Sequence, residues 1–238
     1  MDLSENLKRV RKNIETACEK AGRDPETVTL IAVSKTKPVE MMEAFAGMGQ
    51  RIFGENHVQE IVEKYAVHPE YEYHMIGHLQ TNKVAKVVGR VRMIHSVDSL
   101  HLAEAVSREA VKKDLVQEIL VELNVGNEES KYGLSFEEAK ETTLRIAALP
   151  GLLIRGFMCV APFVADPEEN RPLFRRMKEL LIDMQNQKAD NVSADFLSMG
   201  MTNDYMTAIE EGATHVRIGT ALFGPRDYKG VNGNGIHG

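Results

Sequence analysis

Apolar residues at Leu3, Leu7, Val10, Ile14, Ala17 and Ala21 recur three or four positions apart, with lysines, arginines and glutamates between them. That spacing predicts an amphipathic helix at the start of the chain. Beyond it the period changes. Short β-rich runs at 28–34, 51–54, 73–77, 93–97, 118–125, 153–160, 195–198 and 214–218 alternate with stretches of helical spacing at 38–49, 57–66, 81–90, 99–113, 135–148, 167–187 and 204–212. Several runs are almost wholly apolar, as parallel strands covered on both faces are. The punctuation agrees. Pro38 suits a first helical turn, and Asp98 or Ser99 can cap the helix before Leu100. Ser135 with Glu138 makes a capping box, and Asn203 or Asp204 can cap the helix holding Met206 and Ile209. Gly151 and Gly212 fall where helices stop.

Eight strand–helix units in 238 residues predict a closed (β/α)8 (TIM) barrel with an extra N-terminal helix. An open doubly wound sheet is the chief alternative, but no G-x-G-x-x-G follows the first run. Residues 1–228 read as one domain, and the glycine-rich segment 229–238 as a frayed tail.

Charge narrows the partners. Lys plus Arg total 29 against 35 Asp plus Glu, a net charge of −6 with no long basic run. Nucleic acid and anionic membrane are therefore not expected as main partners. No stretch approaches about 18 consecutive apolar residues, and no signal-peptide core stands at the N-terminus. The two cysteines, Cys18 and Cys159, form no disulfide framework, so a cytoplasmic protein is expected.

In such a barrel, chemistry gathers at the C-terminal ends of the strands. The turns after strands 7 and 8 each carry a glycine and a hydroxyl: Ser198 with Gly200, and Gly219 with Thr220. Loops after these strands are the usual phosphate site of the fold, and a helix starting near Gly219 would aim its N-terminus there. The plain reading, that both glycines only permit tight turns, competes. Lys35 directly follows the buried run of strand 1. It is either a lysine snorkelling to the surface or, since strand 8 closes on strand 1, an amine beside the phosphate loops. Lys37, just before Pro38, is expected to point to solvent. An amine beside a phosphate site calls for a ligand with an aldehyde and a phosphate, such as pyridoxal 5′-phosphate. Arg217, two residues before Gly219 on the same strand face, needs a partner. A carboxylate would serve, and so would a pyridine nitrogen of the cofactor.

Six segments carry a resemblance. They are Ile31-Ala32-Val33-Ser34-Lys35-Thr36-Lys37-Pro38, Phe53-Gly54-Glu55-Asn56, the run His74 to Lys83, His95-Ser96-Val97-Asp98-Ser99, Leu197-Ser198-Met199-Gly200-Met201, and Val216 to Gly224. In this order they resemble the YggS/PROSC family of pyridoxal phosphate homeostasis proteins, from the first helix to about Tyr228. The resemblance implies a fold-type III barrel similar to the N-terminal domain of alanine racemase, with an internal aldimine on Lys35. It implies phosphate contacts from Ser198, Gly200, Gly219 and Thr220, with Arg217 facing the pyridine nitrogen and Asn56 beside the cofactor. It implies a carrier or buffer without turnover, with pyridoxal-phosphate-dependent apo-enzymes as possible acceptors, and a monomer is expected. Tyr73 stands where the family often has Trp, and the tail matches nothing in it.

The rival readings are enzymes. A two-base amino-acid racemase needs an acid/base opposite Lys35, and the chain leaves no room after strand 8 for the second domain that supplies one in alanine racemase. A Schiff-base aldolase would carry a lysine on strand 6, where none stands. A metal hydrolase, suggested by eight histidines, lacks an H-E-x-x-H motif, and His74 and His78 flank a strand end. Met158 and Cys159 read as pocket wall, and Lys131 as part of a loop over the cofactor.

Overall fold

The first helix, α1 (Leu3–Lys20), buries Leu7, Val10, Ile14 and Ala17, the stripe its spacing predicts. Asp2 caps it by accepting the amides of Ser4 and Glu5. The chain then enters eight short strands: β1 (Thr29–Val33), β2 (Ile52–Glu55), β3 (Glu72–Met75), β4 (Met93–Val97), β5 (Gln117–Leu123), β6 (Leu152–Cys159), β7 (Val192–Ser198) and β8 (His215–Ile218). All neighbouring pairs are parallel, and β8 pairs with β1, closing the barrel. This computed structural model describes residues 2–126, 128, 132–187 and 189–225. Lys131, expected over the mouth, and the segment 229–238, expected as a tail, lie outside them.

Helices α2 (Val39–Gly47), α3 (Val58–Val67), α4 (Val84–Val87), α5 (Leu100–Lys112), α6 (Phe136–Ala147), α7 (Arg171–Gln185), α8 (Tyr205–Glu210) and α9 (Thr220–Phe223) surround it. Ser99 caps α5, and the Ser135–Glu138 capping box opens α6. The helix expected over 81–90 is instead a 3₁₀ turn, Thr81–Lys83, followed by one turn of α4. Gly89, at φ +79°, follows that short helix. β7 starts three residues before the expected 195, its first residues alternating apolar and polar with Ala194 at φ +49°. No described helix is long and apolar enough to cross a membrane.

α1 packs against α2, α8 and α9. Asn13 donates to the Tyr205 hydroxyl (2.9 Å), and Asn6 to the Leu222 carbonyl (2.9 Å). The extra helix thus braces the helices α8 and α9 that flank β8.

Candidate functional site

β1 delivers the chain into Ser34-Lys35-Thr36 at the C-terminal mouth of the barrel. Ser34 is fully buried, and its hydroxyl donates to Glu55 Oε1 at 2.5 Å. Lys64 reaches in from α3, 5% exposed, and donates to the Ser34 carbonyl (2.8 Å), Glu55 Oε1 (2.7 Å) and Glu60 Oε2 (3.0 Å). Glu60 also accepts the Thr36 amide at 2.7 Å. Thr36 has φ +62°, a left-handed conformation that costs a β-branched residue about 1–3 kcal/mol. The buried ion network holds that turn, and with it the root of Lys35. Burial is the largest influence on Glu55, pushing its carboxyl up to about 7 against the pull of Lys64.

Above the turn lies a cavity of about 670 Å³, within the range of small-molecule sites. Lys35, Asn56, Arg217, Gly219 and Thr220 all line it. Five of the seven expected site residues therefore meet in one space, because β1 and β8 are neighbours in the closed sheet. Apolar contacts come from Val33, Ile76 and Val160, and the mouth carries Phe163, 89% exposed. Gly77 brings Asn56 into place: a Cβ there would sit 2.5 Å from the Asn56 carbonyl oxygen.

The two glycine turns differ. Gly200 has φ +90°, and a Cβ would lie 2.6 Å from that of Ala208. Turn geometry and packing account for it fully. Gly219 has φ −109°, and its Cβ would meet Val33 at an ordinary 3.5 Å. Neither conformation nor packing demands a glycine there, which leaves close approach of a ligand to the backbone.

Ser198 does not line the cavity; it lies beneath it, fully buried. Its hydroxyl accepts from Arg217 Nη1 at 2.6 Å and contacts His95 Nδ1 at 2.9 Å. Arg217, 4% exposed, also donates to the Cys159 carbonyl at 2.8 Å. Of the two partners expected for this guanidinium, a carboxylate makes no ion pair with it among the described residues. Instead a hydroxyl and a carbonyl hold it against the cavity.

Two further expectations are corrected. Lys37 does not point to solvent; it is half-buried and donates to the carbonyls of Phe223 (3.3 Å) and Pro225 (3.4 Å). It lines a small recess with Lys35, Gly219 and Thr220. Met158 and Cys159 are fully buried behind the wall, which Val160 forms. Burial raises the Cys159 thiol to about 12. His74 and His78 diverge, as the strand end between them implies: His74 bonds His95 inside the barrel, while His78 stacks on Tyr132 at 3.6 Å. Sequence reasoning missed the Glu55–Lys64 pair and His95. Their signal was faint: polar residues on segments whose neighbours are buried.

A closed parallel barrel with a lysine, an arginine and a ligand-sized cavity at its C-terminal mouth defines a class. The sequence profile of "Alanine racemase, N-terminal domain" matches residues 6–227. An alanine racemase of Clostridium difficile 630 shares this fold at a TM-score of 0.73 and 15% identity, with 94% of this chain and 57% of that chain covered. Curated relatives narrow the class. "Pyridoxal phosphate homeostasis protein" of Aquifex aeolicus is 44% identical over 230 residues, 96% of this chain and all of that one. The protein of that name in Escherichia coli K12 is 37% identical over 95% of this chain and 98% of that one. PipY of Synechococcus elongatus, solved with PLP bound, superposes at a TM-score of 0.81 with 33% identity over 94% of this chain and 100% of that one. The chain belongs to the pyridoxal phosphate homeostasis protein family.

Proposed function

We propose that this protein binds pyridoxal 5′-phosphate reversibly and serves in its intracellular homeostasis, as carrier or buffer and without turnover of its own. The observation that carries the reading is the meeting of Lys35, Arg217, Gly219 and Thr220 around one cavity of about 670 Å³. The donor set fits the group: an amine, a guanidinium, and a glycine backbone that a phosphate can approach. PipY, named above with PLP bound, supports it by likeness.

The cofactor supplies an aldehyde that forms a Schiff base with a primary amine. Lys35 is the amine, held over the cavity by the Ser34–Glu55–Lys64 network. Gly219 and Thr220 offer backbone and hydroxyl donors to the phosphate, and Lys37 lies behind them as a second cation. Ser198 and Gly200 act one layer down, Ser198 by holding Arg217 and Gly200 by shaping the turn. Asn56 and Val160 wall the ring. Arg217 would face the ring nitrogen of the bound cofactor. A guanidinium has donors only, so the nitrogen keeps its lone pair and the ring remains a weak electron sink. That property suits holding the cofactor more than using it. Delivery to apo-enzymes, a monomeric state and a cytoplasmic location complete the reading.

Borohydride reduction of protein loaded with pyridoxal 5′-phosphate, followed by peptide mapping, tests it. The expected product is one adduct, on the peptide bearing Lys35. Adducts scattered over surface lysines, or none, would overturn the assignment.

A further inference from the structure

The inside of the barrel holds a continuous string of polar side chains where an apolar core is usual. Glu72, at the start of β3, is 42% exposed and lies 2.8 Å from His74 Nε2. His74, 1% exposed, places Nδ1 2.7 Å from Nε2 of His95 on β4. His95 is fully buried, with Nδ1 2.9 Å from Ser198 Oγ at the end of β7. Ser198 in turn is 2.6 Å from Arg217 Nη1 on β8, which faces the cavity. Four contacts cross the molecule from the solvent at the strands' N-terminal rim to the site at the other end.

Donors and acceptors fix the direction. Arg217 can only donate, so Ser198 Oγ accepts from it. At the other end the Glu72 carboxylate can only accept, so with one proton on each ring the Ser198 hydrogen goes to His95 Nδ1. Burial drives the His95 pKa far down, so this ring is neutral, and with Nδ1 accepting from Ser198 its single proton sits on Nε2. That proton points at His74 Nδ1, which leaves His74 with its proton on Nε2, aimed at the Glu72 carboxylate. Each contact has one donor and one acceptor. The opposite direction needs one more proton. With His95 donating to Ser198, His74 must donate from Nδ1, and a neutral His74 would then face the Glu72 carboxylate with a lone pair. Only a doubly protonated His74 satisfies both neighbours, and the Ser198 hydrogen turns elsewhere.

We propose that Glu72, His74, His95 and Ser198 form a one-proton relay that positions Arg217 and carries the protonation state of His74 to the cavity. They are positioning residues, and the effect on the cofactor rests on the reading that Arg217 faces its ring nitrogen. The charges around His74 are few. Glu72 is the anion, with Arg92 near it. His95 stands on β4 and His215 on β8, the latter neutral because burial lowers it to about 3. The cations near these rings are Arg217 on β8 and Arg155 on β6. Among these groups, Glu72 alone both contacts His74 and reaches solvent, so protons enter there. A proton on His74 reverses the His74–His95 and His95–Ser198 bonds and leaves Arg217 donating to an oxygen that already accepts from His95.

The test uses the Glu72→Gln variant, an isosteric change at a half-exposed position at the start of β3. The amide can donate to His74 Nε2, so this variant allows the reversed order without an added proton. Nitrogen-15 NMR of the histidine rings in cofactor-free protein reads the tautomers directly. At alkaline pH the wild type should show protons on Nε2 of both His74 and His95. Glu72→Gln should show His95 protonated on Nδ1 instead, in whole or in part. The absorbance of bound pyridoxal 5′-phosphate should then titrate at a shifted midpoint in the variant. A wild-type His95 protonated on Nδ1 at alkaline pH, or one whose tautomer ignores Glu72→Gln, would overturn the relay. Intact tautomer behaviour with no cofactor binding would leave the relay standing and sink the functional reading. Tautomer switching with an unshifted cofactor band would confine the relay to the core and overturn its reach to the cavity.

Discussion

Glu55 sits where two opposing influences meet, and burial is the larger. Its carboxyl is fully buried, Oε2 has no partner among the described residues, and its pKa rises from 4.5 to about 7 although Lys64 lies 2.7 Å from Oε1. A carboxyl with a folded pKa above its unfolded value binds more protons in the folded state between those two values. Its contribution to stability is therefore present below about 4.5 and is lost as pH rises through about 7. Glu55→Gln keeps an acceptor for Ser34 and cannot titrate. Wild-type stability minus that of Glu55→Gln should fall by a few kcal/mol, at most about 3, between pH 4.5 and 7.5. Urea unfolding at several pH values measures it, and a pH-independent difference would contradict the assignment. Lys35 and Arg217 were legible in the sequence because a strand end and a period of two fix where they point. The Lys64 contact was not. A lysine in a helix reads as solvated face, and only the tertiary placement of α3 over the end of β1 aims this one inward. Ser198 was half legible: its strand and end were right, but burial assigns its hydroxyl to Arg217 and His95.

Strands β6 and β7 show how one element makes room for another. The register slips between Ile154 and Gly156, and Gly156 takes φ +144°. A Cβ there would lie 2.0 Å from the Phe196 carbonyl oxygen, an atom of the neighbouring strand that cannot move without breaking the barrel wall. Gly156→Ala should destabilise the protein by more than about 4 kcal/mol, the exceptional range reserved for backbone conflicts in a core. A calorimetric midpoint within a degree or two of wild type would refute the conflict. Nothing in the local sequence singles out this glycine, since Leu153 to Val160 reads as one uniform strand. All eight strands were legible as elements, several of them because parallel strands buried on both faces are nearly continuous apolar runs. The start of β7 was not: Val192 to Asp195 mixes apolar and polar residues, from buried Ala194 to exposed Asp195, and Ala194 adopts φ +49°.

Closure of the barrel gives the whole molecule its coupling between site and stability. Lys35 follows β1, Asn56 follows β2, and Arg217 and Gly219 belong to β8 and its turn, so a ligand in the cavity touches strands far apart in sequence. α1 binds to the same wall through Asn6 and Leu222, and Lys37 ties the β1 turn to the end of α9. A ligand that needs all of these contacts binds only the folded chain, and each increment of its binding free energy becomes folding stability. At a hundredfold excess over its dissociation constant, pyridoxal 5′-phosphate should add about 2.7 kcal/mol and raise the thermal midpoint of a chain this size by roughly 5–10 °C. Lys35→Ala removes the amine and leaves the phosphate donors intact, so it should show a smaller rise at the same concentration. Pyridoxine, which lacks both the aldehyde and the phosphate, should give none. Thermal melts across the three conditions separate the contributions. Equal shifts for wild type and Lys35→Ala would mean that the phosphate turn alone holds the ligand and that the lysine beside it makes no bond that matters to affinity.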